Sequence, residues 1–387
     1  MAIPLKYNFR SLLVRRISTL MTIISIALIV MIFVGVMALA NGLETVLTST
    51  GDPLNVVVLS RGADSELLSS VPREAFASIR YLPGVQADSN GEPLAAAEIV
   101  TVSPLQKRNE DLNSNLTIRG VSPQSLTLRP QIKIIAGRTF QPGLHEALVS
   151  QAVSARIANT SLGDTLQVGK GEWKIVGIFD AGNTAYSSEI WVDVNQLADD
   201  FKQPAYSSIT LRAANQAALG EIINRIDKDP NINLAAETEI GYYKELTQVA
   251  RPLKTLGMMI AVIMGIGACL AAMNTMYSTV SYRTHEIATM RTLGFKRRNI
   301  LLSFLAEALL LTFIGGLLGC LLTIPVNGIS TSTINMQTFS EVAFAFRVSP
   351  TLLLLGMLFA LLIGLFGGIF PAWHATRVKP TTVLREE

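Results

Sequence analysis

Charge is what this chain has little of. Of its 387 residues, 16% are Asp, Glu, Lys or Arg, where soluble domains carry about a quarter. A soluble globular protein is therefore a poor description of the whole molecule. Histidine is limited to His145, His285 and His374, which stand in three different regions without ligand-like spacing to Cys, Asp or Glu. The two cysteines, Cys269 and Cys320, both lie in apolar runs, so the segment 44–250 holds no disulfide. There is no G-x-x-x-x-G-K-[ST] loop to cradle nucleotide phosphates, no G-x-S-x-G elbow and no H-E-x-x-H pair. The remaining carboxylates are scattered as on a solvated surface. The sequence thus offers no constellation for catalysis, no metal site, no bound cofactor and no nucleic-acid footprint.

Four long apolar runs are present instead, at 17–43, 255–280, 300–324 and 348–376. Each reaches the roughly 20 residues that a helix needs to cross about 30 Å of hydrocarbon. Lipid offers no partner to a backbone amide, so such runs read as transmembrane helices. The first run follows Lys6, Arg10, Arg15 and Arg16 and contains Ala38-Leu39-Ala40, which resembles a signal-peptidase site. Its apolar core exceeds the 7–15 residues usual for a signal peptide, and it is read as an uncleaved span. Basic residues cluster before the first span, between the second and third (Arg283, Arg291, Lys296, Arg297, Arg298) and after the fourth (Arg377, Lys379, Arg385). The positive-inside rule makes these segments cytoplasmic, with both termini inside and 44–250 outside.

The expected fold is a membrane protein of four transmembrane α-helices, with a large α/β extracytoplasmic domain between helices 1 and 2. Its segments are an amphipathic N-terminus on the lipid surface (1–16), the spans 17–43, 251–281, 299–325 and 350–372, and the external domain 44–250. A cytoplasmic helix follows at 282–298, a short external loop at 326–349 and a cytoplasmic tail at 373–387. Within 44–250, alternating or β-branched runs predict strands at 55–60, 98–103, 116–121, 165–168, 173–179, 190–194 and 208–212. Helices are expected at 72–81, 151–159 and 214–227. A polar stretch at 106–115 reads as a loop. Residues 237–251 read as a helix running into the second span, with Pro252 as its only punctuation.

Small residues in the spans, Gly315 with Gly319 and Gly364 with Gly368, permit close helix contact. Two polar residues fall within them. Asn274 is expected in an interhelical hydrogen bond, and Glu307 in an ion pair with Lys296, Arg297 or Arg298. The charged stretch SYRTHEIATMRTLGFKRRN (281–299) reads as a short helix with an apolar edge of Ile287, Met290 and Leu293, ended by a left-handed cap at Gly294. An amphipathic helix resting on lipid and a helix docking into a groove of a soluble partner both satisfy that pattern.

The segment NTMYSTVSYRTHEIATMRTLGFKRRNILLSFLAEALLLTFIGGLLG (274–319) resembles the signature of FtsX-like permeases, the MacB-type membrane subunits of ABC transporters. Asn274, Arg283, Glu286, Ile287, Arg291, Gly294, Glu307, Gly315, Gly316 and Gly319 match its pattern, while Tyr282, Ala288 and Phe295 depart from it. PAWHATRVKPTTVLRE (371–386) is similar to the family's C-terminal motif, and segments of 44–250 are similar to its periplasmic core domain. The resemblance makes 252–387 the permease domain. It implies a coupling helix that meets a separate ABC ATP-binding subunit through Arg283, Glu286, Ile287, Met290, Arg291 and Gly294. Asn274, Glu307, Gly315, Gly316, Gly319, Gly364 and Gly368 would pack or gate the bundle. ATP and magnesium would be held by the partner subunit. A second permease copy and a periplasmic adaptor complete the implied assembly, in a bacterial inner membrane. The implied output is export by mechanotransmission; lipoprotein release and non-transporting regulation of an external partner are the alternatives.

Overall fold

The computed structural model describes residues 16–108, 111–247, 250–334 and 339–378. The expected N-terminal amphipathic segment lies almost wholly outside these residues, as does most of the tail. Along the chain come α1 (Arg16–Thr48), β1 (Asn55–Ser60), α2 (Arg73–Ile79), β2 (Ala95–Gln106), β3 (Asn113–Val121) and α3 (Pro123–Leu128). Then follow β4 (Lys133–Gly137), β5 (Glu146–Ser150), α4 (Gln151–Arg156), β6 (Thr165–Val168), β7 (Gly171–Asp180), β8 (Glu189–Asp193) and α5 (Val194–Phe201). The domain closes with β9 (Ser208–Arg212), α6 (Gln216–Lys228), β10 (Leu234–Thr238) and α7 (Glu239–Leu246). Last are α8 (Ala250–Tyr282), α9 (Thr284–Thr292), α10 (Arg297–Thr323), β11 (Ser330–Ile334), β12 (Glu341–Ala345) and α11 (Pro350–Thr376).

Two units result: a helical one (1–41, 252–329, 345–387) and an α/β one (42–251, 330–344). In the helical unit, the four long helices are all long and apolar enough to cross a membrane. They are apolar on every side, so one-sided patterning cannot orient them, and small residues do so instead. A Cβ on Gly364 of α11 would lie 2.2 Å from Thr312 Oγ1 of α10, and one on Gly368 would lie 2.6 Å from Ala308 Cβ. Gly316 meets Ala360 in the same way, at 2.6 Å. Gly315 and Gly319 face α1 instead, where a Cβ on Gly319 would stand 2.6 Å from the Ala27 carbonyl. Asn274 differs from expectation. It is exposed on α8.

The α/β unit is built on a ten-stranded sheet ordered β10-β1-β9-β2-β3-β8-β5-β7-β4, with β6 added on β7. The pairs β3–β8 and β5–β7 are parallel, and the other pairs are antiparallel. Two cores flank it. Val56, Ile209, Leu211, Leu219 and Ile222 belong to one, and Ile118, Val149, Trp173, Ile190 and Leu197 to the other. Polar residues fill the ground on the sheet between them. Arg119 on β3 donates to Glu66, Glu98 and Glu189, and Arg129 donates to Glu98 and Tyr186, all buried. Burial pushes the Glu66 carboxyl up, but the Arg119 guanidinium outweighs it and holds the group below the usual carboxylate range. Such a network adds little net stability over apolar packing, but each member left alone would be costly, so it fixes the register of β2, β3 and β8.

Several elements differ from the sequence reading. The loop expected at 106–115 is narrower, since β2 and β3 pair out to Gln106 opposite Asn113. Strands β4, β5 and β10 were not expected. The helix expected from 237 starts two residues later, because Thr238 Oγ1 accepts from Gly241 N at 3.0 Å and caps α7. Pro252 lies in the first turn of α8, where its missing N–H is needed by no helical bond. The segment 326–349 is more than a short loop: its strands β11 and β12 belong to the α/β unit.

Candidate functional site

The charged stretch between α8 and α10 folds as α9, set off from α8 at Arg283 (φ −101°, ψ 17°). Its far end closes at Gly294, whose φ of +90° few other residues tolerate. Gly294 N donates to the Arg291 carbonyl and Phe295 N to the Met290 carbonyl, at 3.2 and 3.1 Å. That paired closure is the left-handed cap that the sequence predicts.

One side of α9 is fastened to the helical unit. Arg283 is buried and forked: Nε donates to Glu286 Oε2 at 3.0 Å, and Nη1 to Glu307 Oε2 of α10 at 2.9 Å. Its guanidinium also lies 5.2 Å from the centre of the Phe304 ring. Ile287 is fully buried in a cluster with Met276 and Val280 of α8, Phe304 of α10 and Ala372 of α11, and Met290 packs against that cluster. Arg291 Nη1 donates to the Thr376 carbonyl at 3.1 Å, satisfying one of the acceptors left open at the end of α11. Three side chains thus tie α9 to the helices before and after it.

The other side is open. Glu286, His285, Thr289 and Leu293 are exposed, Leu293 at 72%, and Tyr282 at the end of α8 is 78% exposed. The sequence reading treats Ile287, Met290 and Leu293 as one docking edge. The structure divides them, because Ile287 and Met290 are covered by this chain's own helices while Leu293 faces outward. Of the six residues assigned to partner contact, Arg283, Ile287 and Arg291 turn inward with Met290, Glu286 stays open and Gly294 shapes the turn. Tyr282, His285 and Thr289 lie on the open side with Glu286. The spacing Glu286–Thr289–Leu293, i, i+3, i+7, marks their face, but it mixes charge with apolar character and so gives no periodic signal. Glu307 is ion-paired as expected, and the partner the structure supplies is Arg283.

Residues 19–229 match the family profile described as the MacB-like periplasmic core domain, and residues 258–380 match that of the FtsX-like permease C-terminal domain. The chain belongs to the MacB/FtsX-like family of ABC transporter permeases. It is 25% identical to the uncharacterized ABC transporter permease YknZ of Bacillus subtilis (strain 168) over 395 residues, covering 97% of each. It is 26% identical to the macrolide export ATP-binding/permease protein MacB of Pasteurella multocida (strain Pm70), covering 96% of this chain and 58% of that protein. The chain therefore spans little more than half the length of that MacB relative. Among solved structures, the extracellular domain of a noncanonic YknZ transporter from Gram-positive bacteria aligns with 48% of this chain and all of its own, at 14% identity and a TM-score of 0.37. In this FtsX-like permease, the four apolar helices are the membrane helices and the α/β unit is the extracytoplasmic core domain.

Proposed function

We propose that this permease turns ATP hydrolysis by a separate ATPase subunit into movement of its extracytoplasmic domain, with α9 as the coupling helix and export as the output. The observation that carries this reading is the two-sidedness of α9. One face is bound into the helical unit through Arg283–Glu307, Ile287 and Arg291–Thr376, and the opposite face presents Tyr282, His285, Glu286, Thr289 and Leu293. A helix that merely rested between two spans would not need three fastenings to them. Close-packed interiors transmit displacement instead of absorbing it, so a push on the open face reaches α10 and α11 together.

On this reading, ATP draws two ATPase subunits together beneath two permease copies, and each α9 moves with its subunit. Nucleotide and magnesium stay on the ATPase. The basic segments flanking the spans support a cytoplasmic α9 and cytoplasmic termini, and the α/β domain outside then meets a periplasmic adaptor. Export is favoured because the MacB relative is named for macrolide export. The test is co-purification of the ATPase from native membranes with Glu286→Lys and Leu293→Ala combined. Loss of the ATPase, with membrane insertion and yield unchanged, is expected; an ATPase retained at wild-type stoichiometry overturns the assignment of α9.

A further inference from the structure

The segment between α10 and α11 makes contacts that the coupling reading does not use. Strand β12 is buried along most of its length within the α/β unit. Glu341 at its start accepts from Ser114 Oγ of β3, and from Arg156 Nη1 at the end of α4 at 2.5 Å. Lys107 Nζ, just beyond β2, stands 3.8 Å away. Farther along the strand, Ala343 N donates to Ser188 Oγ at 2.8 Å. One carboxylate therefore holds the strand to three separate parts of the core domain.

This attachment is built differently from the Arg119 network beside it. Arg119 is 3% exposed and buried with its carboxylate partners, so opening that network would strand charges away from water. Around Glu341 the cations already stand at the rim, Arg156 at 30% and Lys107 at 33% exposed. Lifting Glu341 out returns all three charges to solvent, and their hydration offsets most of what is lost. The seat is also imperfect. A cavity of about 50 Å³ lies against the strand, lined by Ser340, Glu341 and Val342 together with Leu47, Arg119 and Tyr242. Arg156 Nη2 is buried with no hydrogen-bond partner among the described residues. A void and an orphaned donor both withhold packing and hydrogen-bond energy from the closed state.

We propose that β12 is a releasable tether from the α10–α11 connection to the core domain, with Glu341 as its latch. The α10–α11 connection then holds to the core domain through a strand that opens without unfolding anything else. This goes beyond the coupling reading and concerns this chain alone, so its test needs no ATPase.

Amide hydrogen exchange on the full chain in lipid nanodiscs decides it. In the wild type, the amides of 342–344 should exchange about a hundredfold faster than those of β3 and β8, as expected of a segment that opens locally. Glu341→Gln should speed them by roughly a further tenfold, since it replaces charge-assisted bonds with weaker ones. Arg156→Gln, changed on the opposite side of the latch, should do the same. Amides of β3 and β8 should be unaffected in both variants. Protection of 342–344 equal to the core strands, or rates insensitive to both substitutions, overturns the tether. So does a rise in β3 and β8 exchange alongside β12, because Glu341 would then be part of the domain's own core. Loss of the coupling reading would appear separately, as absent ATPase co-purification.

Discussion

Arg283 and Glu307, twenty-four positions apart, meet at 2.9 Å with both side chains at most 10% exposed. The pair joins the start of α9 to the third turn of α10, and the same guanidinium also holds Glu286. A charge at this depth persists only where an opposite charge accompanies it.

Replacing Arg283 with Met should therefore cost about 3–5 kcal/mol, the penalty for leaving one member of a buried pair behind. Glu307→Gln should cost less, because Arg283 keeps Glu286. Adding Glu307→Met to Arg283→Met should recover most of the loss. Unfolding of the purified chain in detergent measures all three. A double variant no better than Arg283→Met alone would show that the two residues do not act as a pair.

The glycines of the membrane helices make a sharper contrast. Gly364→Ala places a methyl group against Thr312, where 2.2 Å is available, while Gly267→Ala meets nothing within 4 Å. Overpacking of the first kind costs about 1–3 kcal/mol. The second substitution should be neutral or slightly stabilising, since Ala is the better helix former. Thermal unfolding in detergent separates them; equal melting temperatures would deny the close approach of α10 and α11.

Glu237 on β10 predicts a pH dependence of the core domain. Burial, then the nearby Glu245 and Asp227 carboxylates, raise its carboxyl from 4.5 to about 7. The folded state thus holds this proton more tightly than the unfolded state does. The resulting stabilisation is complete below about pH 4.5 and disappears as pH rises through about 7. The melting temperature of the wild type should fall across that window relative to Glu237→Gln, which cannot titrate. Parallel curves for the two proteins would refute it.

The sequence by itself determined where the chain can enter lipid, because length and continuous apolarity are one-dimensional properties. It likewise determined the Gly294 cap and the strands Asn55–Ser60, Thr165–Val168 and Ser208–Arg212, whose signals lie within a few neighbouring residues. Strands such as Glu146–Ser150 and Leu234–Thr238 escaped, since short mixed runs become strands only when a neighbouring strand pairs with them. The same holds for Glu341–Ala345, which sequence distance assigns to a membrane loop and packing assigns to the core domain. Only the tertiary structure decided which face of α9 is covered and which carboxylate Arg283 meets. Periodicity shows that a helix has two faces, but the choice between them belongs to whatever packs against it, and that is a fact about distant parts of the chain.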